Sequence, residues 1–227
     1  LKKIKTNYIL IMIIGLAFIG ILSGCGFADA NEDEVVHVKQ QSYEDFDVGE
    51  IVENAIEDAD EVLGKTTKPL HSPDEELRKW VIRLSMGQMM GQYSTIDEDD
   101  LLAEAKKAYD ERKLTFQFAE DVYGVDVHDE ERINAYIREE MAFITQGNEE
   151  NEVITFTQKV ADHLSLTFEE FMYDWEYDNF KNNYVWQQVM PELEKKYPRK
   201  KDEADYHTRL LNEYEREIQA YKKEKNL

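Results

Sequence analysis

The side chains able to do chemistry are five histidines, one cysteine and a large excess of carboxylates, and their spacing limits what they can do. His37, His71, His128, His163 and His207 are scattered, with no two at i, i+4 and no His-Glu-x-x-His. No helix face therefore offers the paired imidazoles of a zinc site. The single cysteine, Cys25, excludes an intramolecular disulfide and a cysteine-rich metal site. Asp97-Glu98-Asp99-Asp100 is a dense carboxylate run. A calcium loop needs oxygens at alternating positions around a turn glycine. Acids gathered at the positive end of a helix dipole account for this run better. Glu169 and Glu170 lie near Trp175 and Tyr177, but adjacent helical residues do not face each other across a glycosidic bond. Glu170 has a capping role instead. No Gly-x-Ser-x-Gly elbow is present, and His128 and His163 fall near expected helix ends, where histidine is commonly a surface residue. The chain is expected not to be an enzyme and to need no metal or dissociable cofactor.

Two stretches point to binding. Met86-Gly87-Gln88-Met89-Met90-Gly91 combines adaptable thioethers with two glycines one turn apart. It suits either a binding surface or a tight helix crossing with methionine as filler. Eight aromatics stand between Phe168 and Trp186, more than one helical stripe buries. They suit either an exposed patch or a helix buried on two sides. The candidate lining of a peptide-binding groove is Met86, Met89, Met90, Tyr93, Phe171, Trp175 and Trp186.

The elements that must position these residues are helices. Ser72-Pro73-Asp74-Glu75, Thr95-Ile96-Asp97-Glu98 and Thr167-Phe168-Glu169-Glu170 are capping boxes, each followed by apolar residues at helical spacing. Asp129-Glu130-Glu131 opens another helix carrying Ile133, Ile137 and Ile144, and Val153 to Leu164 continues the pattern. Gly124 is placed to end a helix. Pro191 should kink or restart the aromatic helix and Pro198 should end it. A final helix is expected from about 202 to 225. Ten glycines, four prolines and no sustained apolar–polar alternation argue against a sheet.

Charge sorts the chain further. The net charge of −22 argues against nucleic acid, which needs clustered basic groups. Residues 26–64 hold 13 acids and one base; 26–42 read as a solvated tether, and Tyr43 to Leu63 as a marginal, mostly solvated helix. Residues 195–227 hold 10 bases and 7 acids, a slightly basic end on an acidic molecule.

Lys2, Lys3 and Lys5 precede an apolar run from Tyr8 to Leu22, the layout of a secretory signal and short for a bilayer span. The run ends in Leu22-Ser23-Gly24-Cys25, which resembles the lipobox of bacterial lipoproteins. The resemblance implies cleavage after Gly24 and a covalent lipid on Cys25, holding the chain on the extracytoplasmic face of a bacterial membrane. Loss of the three lysines would take the net charge from −22 to −25.

Gly124-Val125-Asp126-Val127-His128-Asp129-Glu130-Glu131-Arg132-Ile133-Asn134-Ala135-Tyr136-Ile137 and Leu164-Ser165-Leu166-Thr167-Phe168-Glu169-Glu170-Phe171-Met172 resemble, in order, two stretches of SurA-type chaperone domains. The likeness covers roughly residues 70–197 and extends to PrsA-like foldase lipoproteins. His128 stands where that pattern has Ser or Thr, and Ser165 where it has Gly. No stretch reads as a parvulin isomerase domain. The resemblance implies an all-α, bundle-like chaperone lobe over 70–227, after a signal at 1–24 and a tether at 25–69. It implies an ATP-independent binder of extracytoplasmic polypeptides; the chain's own acidic charge would favour basic clients. The alternative is an interaction lipoprotein of an envelope or spore-surface assembly with one folded partner; the final helix could dock on that neighbour or fold back on its own body.

Overall fold

The periodicity and the caps produce helices and, among the described residues, nothing else in the way of regular structure. The computed structural model describes residues 46–64, 73–92, 96, 98–145, 152–201 and 203–227. The expected signal, Cys25, most of the expected tether, Tyr93 and the expected cap residues Ser72 and Thr95 lie outside the described residues. The described elements are α1 (Val48–Leu63), α2 (Pro73–Met89), α3 (Glu98–Tyr123), α4 (Glu130–Thr145), α5 (Glu152–His163), the single turn α6 (Phe168–Glu170), a π-helical turn (Phe171–Trp175), α7 (Tyr177–Lys196) and α8 (Tyr206–Lys225). The protein is all-α over this range, and among the described residues no helix is long and apolar enough to cross a membrane.

α1 corrects the expectation of a marginal, solvated helix. Asp47 caps it, its Oδ1 accepting from the Glu50 N–H at 3.2 Å. Val48, Val52, Ala55 and Ala59 recur at intervals of four or three and are buried. That stripe packs on α2 and α5, so the acidic face is solvated while the opposite face belongs to the body. Arg78 of α2 pairs with Asp60 of α1 and also donates to the Gly64 carbonyl at 3.5 Å. Gly49 allows the close approach to α5, since a Cβ there would stand 2.8 Å from the His163 ring.

α3 is the central strut. It packs on α2, α7 and α8, and buries Leu101, Ala105, Ala108, Leu114, Phe118 and Ala119. It ends at Gly124, whose φ of +67° only glycine adopts without cost. The Gly124 and Val125 N–H groups close back on the carbonyls of Glu120 and Ala119. α2 ends in the same way. Gly91 has φ +68°, and the N–H groups of Gly91 and Gln92 bond to the carbonyls of Gln88 and Gly87. Gly91 is therefore a helix terminator, and not half of a tight helix crossing.

The aromatic helix is not continuous. Its start is as expected: the Thr167 Oγ1 accepts from the Glu170 N–H at 3.1 Å, and Glu170 Oε2 accepts from the Thr167 N–H at 2.8 Å. The next five residues then widen into the π-turn before α7 begins. α7 carries Pro191 inside it and runs on to Lys196, so the proline does not restart the helix. α8 begins at Tyr206, a few residues after the expected start at about 202, and packs back on α3 and α7.

Candidate binding cleft and the placement of the predicted residues

The predicted groove residues do not line one groove. Met86 and Met90, one turn apart at the end of α2, face the core at 2% and 5% exposure. Met89, on the other side of the helix, is 37% exposed. Phe171 and Trp175 are buried in the π-turn with their rings stacked, centroids 6.5 Å apart. Trp186 is half-buried against Tyr214 of α8, edge-on at 5.6 Å. These aromatics therefore build the core, and of the described candidates Met89 is the one that reaches the surface as an open apolar side chain.

Nothing in the local sequence signals how the π-turn is held. Widening a helix leaves carbonyls without their usual partners; Lys79 and Arg83 supply donors within the turn, and Arg112 binds the first turn of α7 just beyond it. Lys79 Nζ donates to the Asp174 carbonyl at 3.2 Å, Arg83 Nη2 to the Trp175 carbonyl, and Arg112 Nη1 to the Asp178 carbonyl at 2.9 Å. Arg83 and Arg112 also stack on Trp80, at 5.6 and 5.4 Å, and Arg83 lies 5.3 Å from the Trp175 ring centroid. Glu176 is the nearby carboxylate, 3.9 Å from Arg83 Nε and 2.6 Å from the Asn179 amide. Burial lowers the Arg112 guanidinium to about 10, opposed by Asp178. Such a group remains charged at neutral pH. The arrangement is a buried clasp for the helix break.

A second polar cluster fixes α8. Glu217 accepts hydrogen bonds from Tyr123, Tyr197 and Lys196, each at 2.8 Å. Burial pushes its carboxyl up, but the three donors outweigh burial and hold it below the ordinary range. Tyr221 donates to Asp121 at 2.6 Å, which raises the phenol to about 12. The slightly basic end thus folds back on its own body.

An open cleft lies between α1, the end of α2 and the start of α3. It has a volume of about 310 Å³ and is lined by Asn54, Glu57, Asp58, Ser85, Gln88, Met89, Ile96 and Leu101. Asn54, Glu57 and Asp58 stand at i, i+3 and i+4, so one face of α1 presents them together. Ser85, itself buried, donates its hydroxyl to Asp58 Oδ2 and fixes that carboxylate. Gln88 donates to the Ile96 carbonyl at 3.2 Å and ties that residue to α2. Met89 and Leu101 supply apolar wall. The i, i+3, i+4 spacing is visible in the sequence, but the acidic composition around it reads as tether and hides it.

Among the described residues no group of His, Cys, Asp and Glu is arranged to hold a metal ion. Glu170 is engaged in the capping box with Thr167. His128 is exposed beside the Asp126 turn, and His163 lies at the end of α5 with its Nδ1 3.8 Å from Glu53. No family model, curated protein or solved structure matches the chain.

Proposed function

We propose that this chain is a lipid-anchored, extracytoplasmic polypeptide binder that works by reversible capture, without nucleotide and without turnover. Cys25 carries the lipid after removal of residues 1–24, and the helical body corresponds to a SurA-like chaperone lobe lacking an isomerase domain. The observation that carries this reading is the cleft, where the open Met89 side chain and Leu101 stand beside the Glu57 and Asp58 carboxylates. Concave sites with an apolar wall and a few fixed polar groups are where binding concentrates. The net charge, −25 once residues 1–24 are removed, adds long-range attraction for basic segments. Met86, Met90, Phe171 and Trp175 pack in the core, so the contact surface does not include them.

The test is light scattering of a denatured model protein diluted into buffer containing the full chain in neutral detergent. Suppression of aggregation at stoichiometric levels, stronger for a basic than an acidic client, is the expected result. Unchanged scattering rejects the chaperone role.

A second reading has its own support. So much of the aromatic and methionine content is internal that broad apolar capture has little surface to use. A narrow cleft suits one dedicated envelope partner. Affinity capture from membranes separates the two: many unrelated clients favour the chaperone, and one stoichiometric partner favours the dedicated binder.

A further inference from the structure

Resting on the polypeptide-binding reading, we infer that the α1–α2–α3 cleft is a subsite for one lysine or arginine side chain of an extended segment, with an apolar neighbour of that segment against Met89.

Three observations lead there. The first is charge without compensation. The carboxylates of Glu57 and Asp58 line the cleft, and among the described residues neither has a basic side chain within ion-pair distance. Two other acids of the same helix do have basic neighbours: Asp60 pairs with Arg78, and Glu53 lies 3.8 Å from the His163 ring. The second is preorganisation. Ser85 Oγ holds Asp58 through Oδ2, which leaves Oδ1 as an acceptor. A fixed carboxylate loses less freedom on binding a cation than a mobile one. The third is shape. Lysine and arginine have an apolar stem and a charged head, and the cleft has the same division. Leu101, Ile96 and Met89 form the apolar part, and Glu57, Asp58, Asn54 and Gln88 the polar part. A free metal ion does not fit this division, because a hard cation needs a shell of oxygens and an apolar wall supplies none.

The occupant is therefore a basic side chain, charge-paired to Asp58 and Glu57, carried by a chain that also offers an apolar residue. Methionine suits that second contact because it adapts to neighbours of varied shape. The site reads a local pairing of basic and apolar residues, and does not need a defined sequence.

The experiment is fluorescence anisotropy with a short fluorescein-labelled peptide alternating lysine and leucine, added to the full chain in neutral detergent. The controls are the same peptide acetylated on its lysines and a glutamate–leucine peptide. Saturable binding of the lysine peptide is expected, with loss on acetylation. The double variant Glu57→Gln, Asp58→Asn should bind about tenfold more weakly, as charge-assisted bonds are removed while shape is kept. The amide oxygen introduced by Asp58→Asn still accepts from Ser85, and an unchanged thermal midpoint establishes that the variant is folded. Equal binding by the folded variant overturns the subsite and leaves the polypeptide-binding function standing. Binding that survives acetylation also overturns it, since charge would not be what is read. No binding of the lysine peptide, alongside suppressed aggregation of a denatured client, overturns the subsite alone. Failure of both assays overturns the subsite and the function together.

Discussion

Ser165 shows how a single residue can depart from what its position asks for. It follows α5 with φ +59°, and the N–H groups of Ser165 and Leu166 bond back to the carbonyls of Asp162 and Ala161. This is the left-handed closing residue of a helix, a place usually given to glycine. An L side chain there costs about 1–2 kcal/mol, partly offset by the extra freedom glycine has when unfolded. Ser165→Gly should therefore stabilise the protein by about 1 kcal/mol, read as a higher denaturant midpoint with an unchanged slope. A neutral or lower midpoint would mean that the serine hydroxyl contributes something its backbone position does not reveal. At this scale the sequence is informative about local bonds. Thr167 and Glu170 form the reciprocal cap that their spacing specifies, and Gly124 ends its helix. It is uninformative about direction. Periodicity places Met86 and Met90 on one face of α2 and Met89 on another, but only the position of α1 and α3 decides which face is inside.

The same limit applies to whole elements. The helix bodies are legible from caps and spacing, because those signals are carried by neighbours in the chain. The division of the aromatic segment is not legible, because the π-turn is held by Lys79 and Arg83, and the start of α7 by Arg112, all from helices distant in sequence. That dependence is testable. Arg83 is 4% exposed, donates to the Trp175 carbonyl and lies between two tryptophan rings. Arg83→Ala leaves Glu176 and a buried carbonyl without their cation and should cost about 3 kcal/mol in chemical denaturation. Arg83→Lys should recover only part of this, because an ammonium lacks the planar fork and stacks less well. A loss below about 1 kcal/mol for the alanine variant, the ordinary range of surface ion pairs, would remove the clasp from the account of α7. The packing of α1 escapes the sequence for a related reason. Its acids dominate composition, while the buried Val52, Ala55 and Ala59 are small and weak in any hydropathy average.

At the scale of the whole molecule, the carboxylates whose protonation is shifted by their surroundings include two groups with opposite effects of pH. Glu111, Glu140 and Glu215 are raised, burial being the largest cause in each. A raised carboxyl binds its proton more tightly in the folded state. Its contribution to stability is complete below the unfolded value of about 4 and is lost as pH rises through the folded value. Glu217 is lowered, with its three donors outweighing burial, and Glu203 falls to about 2, with Arg209 the main cause. Their contribution is present above the unfolded value and is lost as pH falls through the folded ones. Self-repulsion at a net charge of −22 adds to the cost at neutral pH. The thermal midpoint should therefore be highest in mildly acidic buffer, at about pH 5, and lower both at neutral pH and in strong acid. A midpoint that rises steadily from acid to neutral pH would show that the lowered groups dominate alone. Added salt should raise the neutral-pH midpoint by screening that repulsion.

In the proposed function, an acidic helical body tethered at Cys25 captures polypeptide through fixed carboxylates beside an apolar wall. The most direct measurement is a calorimetric titration of the full chain in neutral detergent with a permanently unfolded basic polypeptide, repeated at higher salt and with an acidic polypeptide. Saturable binding of the basic chain is expected, weakening as salt rises, with little or no binding of the acidic one. Equal affinity for both chains, or no heat with either, would contradict capture by the carboxylates.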